Sequence, residues 1–365
     1  MEGVPLDRCV LLIPALQPRK DFADFVDELL QLHIGPVVVV DDGSGKQYRN
    51  QFRSINAKDN CFVIYHESNY GKGAAIKTGI QWSLDHFFSF KGIITVDCDG
   101  QHLAKDVKAV YDKLITLDDD DLVLGVRSFD SKDTPRMNLH GNRVSSKMMK
   151  MIYGLDLTDT QTGLRGFSYA SLEWLKLIGG DGYDYELNVL IEAKKRGINF
   201  NLVEAETVYF RGNVDSHYRP LADSLRIARI MAKGLIHYFA SSLTSTAVDL
   251  ILFTVLTKFF FSHMHLSLRI MLATIIARIF SSIVNYSINK RLVFSQDTSL
   301  ESMSRYYTVW GCQVCVSVVL VMMFTHLLGI DEVFIKMGVD ACLALISYQL
   351  QLRWVFKNPN HEIRM

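Results

Sequence analysis

The sequence predicts an α/β domain with a mostly parallel, Rossmann-like sheet, followed by an all-α membrane domain of four helices. Three observations carry this. Short β-branched apolar runs alternate with amphipathic stretches up to about Arg219, the order of βαβ units. Several runs stop abruptly at polar groups: Asp41-Asp42-Gly43-Ser44, Asp97-Cys98-Asp99-Gly100-Gln101 and Gly125-Val126-Arg127. From Leu235 onward the chain carries apolar stretches at about 235–257, 268–288, 306–328 and 333–355, each long enough to cross a bilayer.

Composition fits two domains. The chain has 365 residues and a formal net charge of +0, so it lacks the basic footprint of a nucleic-acid binder. Mean hydropathy is +0.12 with 21% charged residues, an average that hides a charged first half and an apolar second half. Met1–Arg8 does not read as a secretory signal. The 6 cysteines read as small buried hydrophobes in a reduced or membrane setting. Cys312-x-x-Cys315 lies in an apolar helix with no second pair, which favours packing over metal binding.

In order, Val10–Ile13 reads as a strand ended by Pro14-Ala15, and Asp21–Leu32 as a helix with Phe22, Phe25, Val26, Leu29 and Leu30 at helical spacing. Val37–Val40 is a second strand and Cys61–Tyr65 a third. Glu67–Gly79 is a glycine-bearing loop opening a helix that runs to about Phe88. Its N–H groups and Lys72 suit a phosphate, although the Walker A ending is missing. Ile93–Val96 is a fourth strand, Asp106–Thr116 a helix and Leu122–Val126 a fifth strand.

On an extended chain Asp97 and Asp99 point the same way, with the Gln101 amide close by. Such hard oxygen donors suit Mg²⁺ or Mn²⁺, which takes its other ligands from water and substrate phosphates. A lone Asp-x-Asp is also just a solvated strand end. Polar groups at several strand ends of one sheet are what a nucleotide pocket needs: an acid for ribose or base, a metal for the diphosphate, an Arg for a further phosphate.

Ile13-Pro14-Ala15, Val38–Ser44, Asn69–Gly79, Asp97–His102, Gly125–Ser128 and Asp159–Phe167 together resemble the family 2 glycosyltransferases. The nearest branch is the polyprenyl-phosphate sugar synthases, such as dolichol-phosphate mannose synthase and GtrB-type enzymes. The resemblance spans most of Val10 to about Arg219 and implies a GT-A fold that uses a nucleotide sugar and a divalent metal. It places Pro14, Ala15, Val40, Asp42, Lys72, Asp97, Cys98, Asp99, Arg211 and His217 on nucleotide-sugar positions, and Asp99 and Gln101 on the metal. It places Arg127, Arg143 and Ser146 (or its neighbour Ser145) on the acceptor phosphate, with Asp97, Asp99, Gln101 and Arg127 as the catalytic set. Two departures stand out. Leu16-Gln17-Pro18 replaces the usual Tyr-Asn-Glu, which leaves the base open. His217 replaces a usual Lys, a weaker cation at neutral pH. Asp159–Gly163 and Tyr183–Ala193 fall on the acceptor side. The latter reads chiefly as an amphipathic helix whose start at Gly182–Glu186 supplies a candidate sugar-contacting acid.

Ser216–Lys233 is basic and amphipathic, suited to an anionic leaflet. The expected domains are 1–215, 216–234 and 235–357. Lys and Arg crowd one set of span ends, so both termini are expected to be cytoplasmic. Asn285–Phe294 and Ser347–Phe356 form a rough repeat that resembles the four-span GtrA-like family, implicated in moving polyprenyl-linked sugars or anchoring the synthase. Asp249, Arg278 and Asp340 fall inside spans, either as a helix-locking ion pair or as a polar path for a lipid headgroup.

The expected activity is inverting transfer of a hexose from a UDP- or GDP-sugar to polyprenyl phosphate at the cytoplasmic face. Partners are the donor, the lipid acceptor and membrane lipids, without nucleic acid; a homo-oligomer is left open. The alternative is a translocator of polyprenyl-linked sugar whose first domain senses nucleotide sugar. A processive polysaccharide synthase is disfavoured, because its Gln-x-x-Arg-Trp signature is absent from the first half.

Overall fold

A computed structural model of the chain describes residues 8–117, 121–127, 136–206, 220–294, 300–329, 332–357 and 363–364. The chain divides into two compact units, one of residues 1–150, 155–230 and 360–365, the other of 151–154 and 231–359.

The first unit is built on β1 (Cys9–Ala15), β2 (Val37–Asp41), β3 (Cys61–Tyr65), β4 (Gly92–Thr95), β5 (Leu122–Arg127), β6 (Arg165–Ser168), β7 (Phe200–Ala205) and β8 (Ile363–Arg364). They form one sheet in the order β3-β2-β1-β4-β6-β5-β7-β8. β6 alone runs against both neighbours, so β5 again points the same way as β4. β1, β2 and β4 are buried along their whole length, as strands covered on both faces must be, and this is why they read as continuous apolar runs. The helices are α1 (Phe22–Gln31), α2 (Arg49–Asn56), α3 (Lys72–His86), α4 (Ala104–Leu114), α5 (Arg136–Tyr153), α6 (Leu172–Leu175) and α7 (Asp184–Lys195). α1 buries Phe22, Val26 and Leu29 against the sheet. α3 lies so close to β1 that a Cβ on Gly79 would come within 2.1 Å of Leu12 Cδ1.

Two features differ from the sequence expectation. β6, β7 and β8 were not foreseen. Arg165-Gly-Phe-Ser has no apolar alternation, and β7 buries Asn201, whose amide donates to Asp121 Oδ2 at 3.1 Å. Asp97–Gly100 is also not extended. β4 stops at Thr95, and the chain turns with Gly100 at φ +74° while Asp99 Oδ1 accepts the Gln101 N–H at 3.0 Å. The shared direction of the two acids thus cannot rest on strand alternation.

The second unit contains α8 (Pro220–Val255), which starts in the first unit, then α9 (Leu266–Ile288), α10 (Leu300–Leu328) and α11 (Glu332–Leu350). The expected basic stretch 216–234 is described only from Pro220. α8, α9 and α11 each run into a π-helical turn, at Leu256–Phe260, Asn289–Val293 and Gln351–Val355. Among the described residues, Ala228–Phe260 is a helix long and apolar enough to cross a membrane by length and composition.

The contacts of this unit come in matched pairs. Tyr238 of α8 meets Tyr348 of α11 at 4.9 Å, and Tyr306 of α10 meets Tyr286 of α9 at 5.1 Å. Tyr286 packs on Phe356 and Tyr348 on Phe294, each at 5.7 Å. Phe294 stacks on Phe356 at 4.8 Å, and Asn289 Nδ2 donates to Gln351 Oε1 at 3.0 Å. Exchanging α8 with α10 and α9 with α11 maps this set onto itself. The rough sequence repeat is therefore an internal pseudo-two-fold, the kind of duplication common in membrane folds.

Candidate active site

Parallel pairing brings the ends of three strands to one edge of the sheet: Ala15 stands opposite Asp41, and Leu12 opposite Thr95 two residues before Asp97. Arg127 ends β5 on the same edge. This is the carboxyl edge, where open α/β sheets hold ligands.

Asp97 sits in a charge cluster assembled from distant segments. Lys72 Nζ lies 2.7 Å from Asp97 Oδ1 and 2.9 Å from Glu186 Oε1. His102 Nε2 lies 3.5 Å from Asp97 Oδ2, and the buried His102 Nδ1 has no hydrogen-bond partner among the described residues. Lys72 opens α3, where the helix dipole disfavours a cation. Burial also works against its charge, but Asp97 and then Glu186 outweigh that and raise its pKa. Burial would likewise raise Asp97; Lys72 and His102 reverse it and hold the carboxyl well below the usual range. Gly163 closes over this carboxylate: a Cβ there would meet Asp97 Oδ2 at 2.2 Å.

Asp99 is treated differently. Burial, and then the like charge of Asp97, raise its pKa. Among the described residues its carboxylate accepts the Gln101 N–H and pairs with no cation. Cys98 between the two acids is pushed up to about 12 by burial, so it is an unreactive thiol at neutral pH.

A half-buried carboxylate lacking a countercharge among the described residues, with a side-chain amide two residues on, fits a hard divalent ion. The described residues contain no group of three His, Cys, Asp or Glu that could hold a metal. Asp99 and Gln101 would thus be two protein ligands of an ion that completes its shell from water and phosphate.

The acids ending β2 are occupied. Asp42 Oδ1 accepts the Tyr70 N–H at 2.9 Å and lies 2.8 Å from His66 Nδ1, while Oδ2 accepts the Gly71 N–H at 2.8 Å. Asp41 Oδ1 accepts the Ser44 N–H at 2.8 Å, and Ser44 Oγ accepts the Gln17 N–H at 2.7 Å. Asp42 thereby holds the loop that delivers Lys72. Pro14, Ala15 and Val40 are buried strand residues at this edge.

Arg127 is gripped by Asp159, which is fully buried: Nε to Oδ2 is 2.6 Å and Nη2 to Oδ1 is 3.0 Å. Ser145 Oγ lies 3.0 Å from Thr160 Oγ1, and Ser146 Oγ donates to Thr158 O at 3.3 Å, tying α5 to this loop. Arg143 is exposed on α5. Arg211 and His217 lie outside the described residues.

The sequence reading missed His102 as a partner of Asp97, and the roles of Gly163 and Arg165. Arg165 is buried and donates to Thr162 O at 2.8 Å and Glu186 O at 2.8 Å, so it fastens the 160s loop to α7. The quoted motif Asp159–Phe167 contained the signal. Two glycines, two threonines, an acid and a cation within nine residues mark a tight, polar packing site.

Comparison with known proteins gives two family matches: Glycosyl transferase family 2 over residues 12–175 and the GtrA/DPMS transmembrane domain over residues 237–356. An uncharacterized protein of Methanocaldococcus jannaschii is 33% identical over 209 residues, which cover 56% of this chain and 82% of that protein. A UDP-N-acetylglucosamine–dolichyl-phosphate N-acetylglucosaminyltransferase of Methanococcus voltae is 30% identical over 216 residues, covering 54% of this chain and 85% of that one. Glycosyltransferase AglJ of Haloferax volcanii is 28% identical over 253 residues, covering 67% and 79%. Among solved structures, glucosyl-3-phosphoglycerate synthase of Mycobacterium tuberculosis aligns with 16% identity over 63% of this chain and 78% of that one. Its TM-score of 0.47 is too low for a functional comparison.

Proposed function

Because the chain belongs to glycosyl transferase family 2 and carries a GtrA/DPMS transmembrane domain, we propose that this membrane glycosyltransferase moves a hexose from a UDP- or GDP-sugar to polyprenyl phosphate at the cytoplasmic face. The observation that supports the reading is Asp99, a half-buried carboxylate with no cation partner among the described residues, beside a Lys72-neutralised Asp97 at the ligand edge of the sheet. The Methanococcus relative, named for a UDP-sugar donor and a dolichyl-phosphate acceptor, supports both substrate classes.

In this mechanism Asp99 and the Gln101 side chain would hold Mg²⁺ or Mn²⁺, which would supply charge neutralisation for the leaving diphosphate. Asp97, fixed by Lys72 and His102, supports the nucleotide side. Arg211 and His217, outside the described residues, are the positions that the family resemblance assigns to the diphosphate. A phosphate monoester has its second pKa near about 6, so the acceptor is largely dianionic at neutral pH. It needs orientation more than a general base, the part given to Arg127, Arg143 and Ser146. Asp159 holds the Arg127 guanidinium in one plane for that work. Attack opposite the leaving group inverts the anomeric centre.

The test is a radiolabel assay of the full chain with polyprenyl phosphate and a panel of UDP- and GDP-sugars, with and without chelator. The expected result is one lipid-linked product that needs Mg²⁺ or Mn²⁺. No lipid product with any donor would overturn the reading and favour a translocator with a sensing domain.

A further inference from the structure

α5 does not end inside the first unit. Its last residues, Met151, Ile152 and Tyr153, belong to the second. The final carbonyls of a helix have no partner within it. Two of these are met by side chains of α11. Tyr348 Oη donates to Ile152 O at 2.5 Å, and Gln349 Nε2 donates to Met151 O at 2.6 Å. α8 packs on the same turn. A Cβ on Gly234 would come within 3.1 Å of Ile152 Cγ2 and 3.3 Å of Tyr153 Cε1, tighter than ordinary contact.

The internal two-fold shows that this seat belongs to one copy of the repeat. Tyr238 matches Tyr306, so Gly234 on α8 matches Ser302 on α10. Tyr286 matches Tyr348, so Ser287 on α9 matches Gln349 on α11. On the α9 side, Tyr286 Oη lies 2.9 Å from Ser302 Oγ, and Ser287 Oγ donates to Ile283 O of its own helix at 2.8 Å. Both groups find partners within the bundle. On the α11 side, glycine stands where the serine would be, the end of α5 fills the room, and Tyr348 and Gln349 both turn to it. Three positions have departed from their equivalents, and all three touch the same helix end.

α5 is also held at its earlier turns, within the first unit. Asn142 Nδ2 donates to Thr158 O at 2.8 Å, and Ser145 Oγ lies 3.0 Å from Thr160 Oγ1. Arg143 and Ser146, the proposed acceptor-phosphate positions, lie between Asn142 and the capped turn. A helix rises about 1.5 Å per residue, so Ser146 is only about 7.5 Å along the axis from Met151. A last turn that frays or rotates therefore changes the aim of both side chains. A misplacement of about 1 Å is enough to slow an oriented reaction about a hundredfold.

We infer that Tyr348 and Gln349 are positioning residues for the acceptor. They cap the last turn of α5, and through that helix they set where Arg143 and Ser146 stand. They act through the helix and not on the substrate. The part given to α5 rests on the transfer reading above; the cap itself does not.

The test uses the full chain in lipid discs. Tyr348→Phe combined with Gln349→Leu removes both donors and keeps the side-chain bulk. Gly234→Ser gives Tyr348 the partner that Tyr286 has and takes the room from α5, so it decides the matter if the double variant misfolds. Two quantities are read. One is amide hydrogen exchange over residues 147–153 with no substrate present. The other is steady-state transfer, with polyprenyl phosphate and the donor varied in turn. Exchange is expected to be about fivefold faster in the double variant and in Gly234→Ser. KM for polyprenyl phosphate is expected to rise about threefold or more in both, while the donor KM stays within about twofold. Exchange unchanged in both variants would overturn the cap. Faster exchange with an unchanged acceptor KM, or donor and acceptor constants that move together, would overturn the positioning role. A wild type that forms no lipid-linked product refutes the transfer reading instead, and exchange alone then decides the cap.

Discussion

The ends of β2 and β4 both carry paired acids, yet they are used in opposite ways. At β2 Asp41 accepts the Ser44 N–H of the turn that follows and Asp42 accepts the Tyr70 and Gly71 N–H groups ahead of α3, so their charge is spent on loop geometry. At β4 one acid is neutralised by Lys72, while its neighbour keeps a raised pKa and a single backbone donor. What an acid at a strand end does is decided by what comes to meet it. One acid at each end meets a distant partner from the segment that opens α3: Tyr70 and Gly71 for Asp42, Lys72 for Asp97.

The sharpest way to break this contrast is to remove the cation. Lys72→Met leaves Asp97 and Glu186 facing each other with no countercharge between them except His102. Breaking a buried pair from one side costs about 3–5 kcal/mol. We expect the first unit to melt well before the second, seen as a split transition in calorimetry of the full chain. A single, unshifted transition would mean that the cluster holds nothing together.

Next in size is Asp99→Asn. Losing a metal ligand that screens a leaving diphosphate removes several kcal/mol of transition-state stabilisation, so transfer is expected to fall by about a hundredfold or more. The fold is expected to survive, because this acid costs stability in the metal-free chain. Mn²⁺ should raise the melting temperature of the wild type and leave that of the variant unchanged. A metal-dependent rise in both would place the ion elsewhere.

This contrast also marks how far the sequence could be read. The five strands Cys9–Ala15, Val37–Asp41, Cys61–Tyr65, Gly92–Thr95 and Leu122–Arg127 were legible because burial on both faces leaves an apolar run. The acids at their ends were legible as polar stops. Their partners were not. Lys72 reaches Glu186, and Gly163 closes on Asp97, across chain separations that no local pattern encodes. β6 was hidden because its four residues hold a buried Arg165, which spends its donors on carbonyls, and a single apolar side chain, Phe167. In the second unit, the repeat ending in Phe294 and Phe356 was visible as letters. That its two copies exchange partners was not.

At β2 a smaller effect is expected. Asp42→Ala leaves the Tyr70 and Gly71 N–H groups without their acceptor, worth about 1–3 kcal/mol. Activity should fall through loss of Lys72 positioning, in step with lost stability. Hydrogen exchange should speed up at Tyr70 and Gly71. Unchanged exchange at those amides would show that the loop is held by something else.

The smallest effect tests the sign of the two β4 acids, in chelator. Asp97 has a depressed pKa, so the stability it contributes is full above the unfolded value of about 3.9 and is lost only as pH falls below it. Asp99 has a raised pKa, so it imposes a penalty at neutral pH that fades as pH falls through its folded value. Asp99→Asn is therefore expected to melt above the wild type at pH 7.5, by about 2–4 °C for each kcal/mol relieved, and the gap should close toward pH 4. Asp97→Asn should melt below the wild type over the same range, with a gap that closes only under more acid conditions. Two variants shifting in the same direction would mean that the acids are equivalent, and that the contrast between a held and an open carboxylate does not exist.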